Sequence, residues 1–288
     1  MALPQITLLA GAGFSKWSCQ LPLVSELFDF SIHPDNATEQ RRLERLIEIY
    51  DYWRSSHAND HAEAFIGFAK GPTSKFNLVN WYITRRLTEP FIVVGTRRYT
   101  WYINSHYPRK HEGIVQANRI LDLLSDYGTL DVVTTNYDMV IEYALSTRGF
   151  NYGLAGEQIG FKPYPYPQPV HVTGLIKVIK LHGSISWSLQ RKFPDLRCGL
   201  TGKCLIVPPI AGKTPPRQLQ DQWSFAKKII SQCDVLVVFG FSFNEYDQTV
   251  RQFFTQHLSL KSKGHLEQYQ LSASSASAER AVAALVRR

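Results

Sequence analysis

The stretch QITLLAGAGFS, residues 5–15, sets the architecture of the chain. Ile6, Leu8, Leu9 and Ala10 make an apolar run of strand length, and Gly11-Ala12-Gly13 break it. A strand that turns on glycines into a helix presents backbone N–H groups to a phosphate. The spacing fits neither common phosphate motif. GxGxxG needs a glycine where Lys16 stands, and a Walker A loop needs Gly-Lys-Ser/Thr where the chain has Phe14-Ser15-Lys16. Taken alone, the stretch is equally compatible with a plain tight turn.

Working outward, the chain alternates strand-like and helix-like segments. A helix is expected after the glycine turn, with Pro22 near its start or at a break. Residues 37–127 change character: NATEQRRLERLIEIYDYW, FNLVNWYITRRL and GIVQANRILDLLSDYG carry apolar residues near helical spacing. This block reads as a helical insertion. Strand character returns at LDVVTTN (130–136), followed by a helix over MVIEYAL. Residues 151–173, with KPYPYPQPV, read as a Gly/Pro/Tyr-rich surface loop. LIKVIKLHGS, CLIVPP (204–209) and DVLVVFG (234–240) are three further strands, and the last turns at Gly240 into a helix. The alternation predicts an α/β fold, a Rossmann-like, doubly wound and mostly parallel sheet with a helical insertion. Residues 1–258 form the expected catalytic domain. Residues 259–288 read as a tail of linker and short helix, in which EQYQLSA is the sole weak candidate for a last strand.

With 288 residues, 44% hydrophobic and 19% charged, the composition is that of an ordinary globular protein. No apolar run is long enough to span a bilayer, which predicts a soluble cytoplasmic protein with no membrane partner. Cys19, Cys198, Cys204 and Cys233 form no CxxC pair, so a structural zinc site is not expected and the thiols read as reduced and inert. The net charge of +8 favours encounter with anionic substrates. Arg85, Arg86, Arg97, Arg98, Arg109 and Lys110 cluster among Tyr99, Trp101, Tyr102 and Tyr107. This basic stretch reads either as a solvated face or as a docking surface for nucleic acid or protein.

In open α/β sheets ligands bind beyond the carboxyl ends of the strands. GAGFS, TTNYD, LHGS and GFSF each follow a strand, so one sheet edge collects all four. Singly, each has a bland reading. Thr135, Asn136 and Asp138 precede a helix and suit an N-cap; so do Ser242, Asn244 and Asp247. A histidine such as His182 is more often structural than a general base. Gly212-Lys213-Thr214 imitates a P-loop end, but Pro215-Pro216 forbids the helix that must follow.

The four motifs in this order resemble the sirtuin-like family. VIKLHGSISW, LIVPP and GFSFNEYD resemble in particular its branch of NAD-cleaving enzymes in bacterial anti-phage defence. The resemblance implies an NAD⁺ hydrolase that releases nicotinamide and ADP-ribose as an NAD-depleting effector, with NAD as substrate. By position it implies that Gly11, Ala12, Gly13, Phe14 and Ser15 face the phosphates. Asn136 would hold the nicotinamide ribose and the attacking water, with Thr135 beside it, and Asp138 would face the carboxamide. His182 would be the base, and Gly240 and Ser242 would line the adenosine side. The zinc ribbon and the Gly-Ile-Pro-Asp-Phe-Arg segment of sirtuin deacylases are missing, with CQLPLVSEL in the latter's place. The alternatives are a protein deacylase or ADP-ribosyltransferase, and a sensor that binds NAD or ADP-ribose without turnover. As no sensor segment is evident, activation is expected from homo-oligomerisation or from a partner ATPase or nucleic-acid-guided protein.

Overall fold

The computed structural model describes residues 3–58, 60–69, 73–91, 111–145, 148, 150–152, 159–162, 168–171, 176–188, 201–207, 217–241, 248–259 and 267–271. β1 (Gln5–Ala10) leads straight into α1 (Ala12–Cys19), which ends three residues before Pro22. Then come α2 (Ala37–Ser56), α3 (Ala62–Ala69), α4 (Thr73–Thr88) and α5 (Glu112–Tyr127), which returns the chain to β2 (Thr129–Thr134). The short helix α6 (Val140–Ala144) follows. Strands β3 (Phe150–Asn151), β4 (Ile159–Lys162), β5 (Gln168–His171), β6 (Ile176–Lys180), β7 (Gly183–Ser188) and β8 (Cys204–Ile206) succeed one another. The chain continues through α7 (Gln220–Gln232), β9 (Val235–Phe239), α8 (Gln248–Ser259) and β10 (Glu267–Leu271).

The main sheet has the order β10-β9-β1-β2-β6-β3-β4-β5. From β10 to β6 every neighbouring pair is parallel. In chain order these five strands read 5-4-1-2-3, so the winding reverses between β1 and β9, the topological switch point of a Rossmann-like fold. Both sheet faces are buried, as parallel sheets require. Along β1, Ile6, Leu8 and Ala10 face a core shared with α1, α5, α6 and the insertion helices. Leu9 faces the opposite core, with Ala226, Ile229 and Ile230 of α7 and Val250 and Phe254 of α8.

Two expectations are revised, and one faint candidate strand is found in place. CLIVPP supplies no strand to the main sheet: Cys204–Ile206 pairs antiparallel with β7 in a separate two-stranded sheet. The segment read as one surface loop contains the last residue of β3 and all of β4 and β5, and these strands extend the sheet beyond β6. EQYQL, the weak candidate for a last strand within the tail, is the edge strand β10, parallel to β9; the sheet therefore reaches past residue 258.

In the basic stretch, Arg85 is buried, donates to the His33 carbonyl and lies 3.5 Å from both Glu39 and Glu89. Arg86 grips Asp29 through two hydrogen bonds of 3.0 and 2.6 Å. These two arginines thus tie α4 to α2 and to the segment at Asp29 and His33 that precedes the insertion. Positions 92–110 lie outside the described residues, as do Gly212-Lys213-Thr214 and the tail after 271.

Candidate active site

At the switch point the β1–α1 turn and the end of β9 are in main-chain contact. Gly11 N–H donates to the Phe239 carbonyl and Gly13 N–H to the Gly240 carbonyl, both at 2.9 Å. Only glycine allows this approach: a Cβ on Gly13 would lie 2.6 Å from Gly240 Cα, and one on Gly240 would lie 2.3 Å from Phe14 N. Gly240 also holds φ at +64°, in the left-handed region. Two of the loop's N–H groups are thereby used within the protein. The N–H of Ala12, which opens α1, has no intrahelical carbonyl to bond, and Ala12 is half-buried beside them. Phe14 turns its ring into the core, edge-on against Phe239 with centroids 5.1 Å apart, so only its backbone belongs to the turn.

The next strand end meets this turn through one side chain. Asn136 is buried, and its Nδ2 donates to the Gly11 carbonyl at 2.9 Å and to Ser15 Oγ at 3.0 Å. A carbonyl can only accept, so the orientation of the Asn136 amide is fixed and both its N–H donors are committed. Its Oδ1 remains to accept a hydrogen bond. Thr134 Oγ1 donates to the Ala10 carbonyl at 2.8 Å and accepts from Asn136 N–H at 3.0 Å, which locks the exit from β2. Asp138 caps the following turn, with Oδ1 accepting from Val140 N–H at 3.0 Å. The N-cap position of the short helix is Met139, so Asp138 braces the turn just before it, and the Asn136 side chain turns back to Gly11 and Ser15. Thr135, directly before Asn136, is half-buried.

β6 lies beside β2, so its end comes to the same edge. Leu181 N–H donates to the Thr134 carbonyl at 2.9 Å. His182 follows, 2% exposed, its ring centroid 6.3 Å from that of Tyr137. Gly183 then reverses the chain with φ +80°, where a Cβ would lie 2.1 Å from the Leu205 carbonyl oxygen. Tyr137, which sequence reasoning passed over, ties these parts together. Its hydroxyl donates to the Val207 carbonyl at 2.9 Å, while Val207 N–H donates to the His182 carbonyl at 2.8 Å. Its own carbonyl accepts from Ile185 N–H at 3.0 Å. The sole hint in the sequence was its place inside TTNYD. Gly11, Ala12, Gly13, Ser15, Thr135, Asn136, Asp138, His182 and Gly240 thus follow the ends of neighbouring strands on one edge, and direct hydrogen bonds join Gly11, Ser15 and Asn136, and Gly13 and Gly240. Ser242, Asn244 and Asp247 lie outside the described residues.

A family model for the SIR2-like domain matches residues 131–285, more than half of the chain. The chain belongs to the SIR2-like family. No curated protein sequence matches it. Among solved structures, this SIR2-like chain is similar to one described as the structural basis for the mechanism and regulation of Sir2 enzymes. The identity there is 15% over 99% of this chain and 93% of that one, with a TM-score of 0.46. A Sir2–p53 peptide–NAD⁺ complex matches at 17% identity over 98% and 94% of the two chains, with a TM-score of 0.40. A Sir2 homologue–NAD complex matches at 14% over 98% and 90%, again at 0.40.

Among the described residues of this SIR2-like chain, no three His, Cys, Asp or Glu side chains are grouped to hold a metal ion. Cys19, Cys204 and Cys233 are buried. Burial pushes the Cys19 thiol up to about 12, well away from a reactive thiolate. No described helix is long and apolar enough to cross a membrane.

Proposed function

We propose that this SIR2-like chain binds NAD⁺ at the switch point and hydrolyses its nicotinamide–ribose bond. The observation that carries the reading is the Asn136 amide, pinned by Gly11 and Ser15 so that its one uncommitted atom is an acceptor. An acceptor held there suits a ribose hydroxyl or a water, both of which bring a proton to donate. Ala12 N–H at the start of α1 suits a phosphate oxygen, and Asp138, two residues after Asn136, is assigned to the carboxamide by the resemblance.

In the reaction the bond between the ribose C1′ and the nicotinamide nitrogen breaks. Its electron pair neutralises the pyridinium charge, and the oxygen of water adds to C1′ from the opposite face. His182 takes up the proton from that water or from a ribose hydroxyl that relays it. The products are nicotinamide, ADP-ribose and a proton. Depletion of NAD⁺ by such a reaction fits the role of toxic effector in anti-phage defence, switched on by self-association or by a partner ATPase or nucleic-acid-guided protein.

The test is to incubate the protein with NAD⁺, alone and at concentrations that drive self-association, and to follow nicotinamide and ADP-ribose. His182→Ala and Asn136→Ala should each lower kcat about 100-fold or more, the scale of a lost general base or a lost transition-state hydrogen bond. Equal product from wild type and His182→Ala would sink the reading. NAD⁺ binding without product would favour a sensing module.

A further inference from the structure

Directly before the His182 turn, a lysine is buried where strand ends are ordinarily solvated. Lys180 is 1% exposed, and so is Glu142, whose Oε1 accepts from Lys180 Nζ at 2.7 Å. The same ammonium also donates to the main-chain carbonyl of Asp138. Lys180 belongs to β6, while Asp138 and Glu142 belong to the turn and helix that follow β2, so one side chain staples two strand ends. The staple is itself braced. Lys180 N–H donates to Gln222 Oε1 at 2.9 Å, Gln222 Nε2 donates to the Tyr152 carbonyl at 2.7 Å, and the Tyr152 hydroxyl donates to Glu142 Oε1 at 3.2 Å.

We propose that Lys180 and Glu142 are positioning residues for the catalytic turn, holding the 135–139 segment that carries Asn136 and Asp138 in register with His182.

Taking two charges out of water is costly, and an apolar pair of the same volume often stabilises a fold as well or better. Stability is therefore a weak reason for this pair. Its directional effect is stronger: a charged donor on the Asp138 carbonyl fixes the height of the turn, which an apolar contact does not. Burial raises the Glu142 carboxyl above its usual range, with the neighbouring Lys180 ammonium opposing the shift. Among the described residues, the hydrogen bonds of the Lys180 ammonium go to Glu142 and Asp138 and not to the Gly11–Gly13 turn or Gly240. Its loss should thus disturb the 135–139 segment first, while the Gly11 and Gly13 N–H bonds to the end of β9 stay in place.

The proposal rests on the NAD⁺ reading for its kinetic effect and on geometry alone for its structural one, so the experiment has two arms. The variant is Lys180→Met/Glu142→Met, which leaves no unpaired buried charge. In the first arm, kcat for NAD⁺ hydrolysis should fall tenfold or more while KM stays within threefold, with the melting temperature retained. In the second arm, without NAD⁺, amide hydrogen exchange over residues 134–140 should quicken at least tenfold while β1 and α5 keep their protection. Unchanged exchange over 134–140 overturns the proposal whatever the activity, and so does a kcat within twofold of wild type. If wild type itself does not cleave NAD⁺, the functional reading fails and the exchange arm still decides the staple. Should the double variant fail to fold, Lys180→Met/Glu142→Gln, which removes the donor on the Asp138 carbonyl but keeps an acceptor for the Tyr152 hydroxyl, is measured by the same criteria.

Discussion

Gly240 shows how much one atom can decide. Its φ is +64°, and a Cβ there would lie 2.3 Å from Phe14 N, which leaves no space for a side chain. Gly240→Ala should therefore cost about 2 kcal/mol or more in denaturant unfolding, the range of a strained left-handed residue with added clash. Gly13→Ala meets the same wall from the other side, and the two penalties should not add, because either one already pushes the loops apart. Tyr137→Phe removes only the hydroxyl that holds the Val207 carbonyl. It should lower stability by about 1 kcal/mol, the worth of one partly buried hydrogen bond. It should also reduce the hydrolytic rate more than the substrate affinity, which steady-state kinetics separates. The glycines were legible from the sequence, but their purpose was not. The spacing suggested backbone bared to a phosphate, whereas Gly11 and Gly13 first serve to let two loops of the protein touch.

At the level of elements, α5 carries a titratable cap. His111 Nδ1 accepts from Gly113 N–H at 3.2 Å, which only the ring without a proton on that nitrogen can do. Burial lowers the His111 pKa below the ordinary 6.5, with Glu112 opposing. The unfolded chain then takes up the proton first, so this contribution to stability is complete above about pH 6.5 and is lost as pH falls through the lower folded value. Thermal melting between pH 7 and 5 should show the decline, and His111→Asn, a cap that does not titrate, should flatten part of it. His257, also lowered by burial and by Lys227, supplies a slope that remains. Elements with a continuous apolar run, such as β1 and β9, were legible because a strand buried on both faces leaves that trace. β8 misled for the same reason: a three-residue apolar run pairs as well with a neighbouring hairpin strand as with the main sheet. β10 was faint because EQYQL lies at an edge and carries no apolar stripe.

For the whole molecule, the sheet ends on β10, which covers the outer edge of the apolar strand VLVVF. A chain cut after residue 258 keeps the four strand-end motifs yet exposes that edge, a template for pairing with other chains. It should aggregate on size-exclusion chromatography, where the full chain does not, and lose cooperative unfolding.

Local sequence determined where strands stop on glycine turns, which segments are helical, and that GAGFS, TTNYD and LHGS would sit at strand ends. These properties depend on burial periodicity and on residues that neighbour one another in the chain. Only the tertiary structure decided that β1 lies between β9 and β2, that Asn136 reaches back to Gly11 across 125 positions, and that Lys180 is sealed inside with Glu142. Such pairings are non-local. A lysine at a strand end has the same local signature whether it meets water or a buried carboxylate, and only the packing of other strands and helices around it settles which.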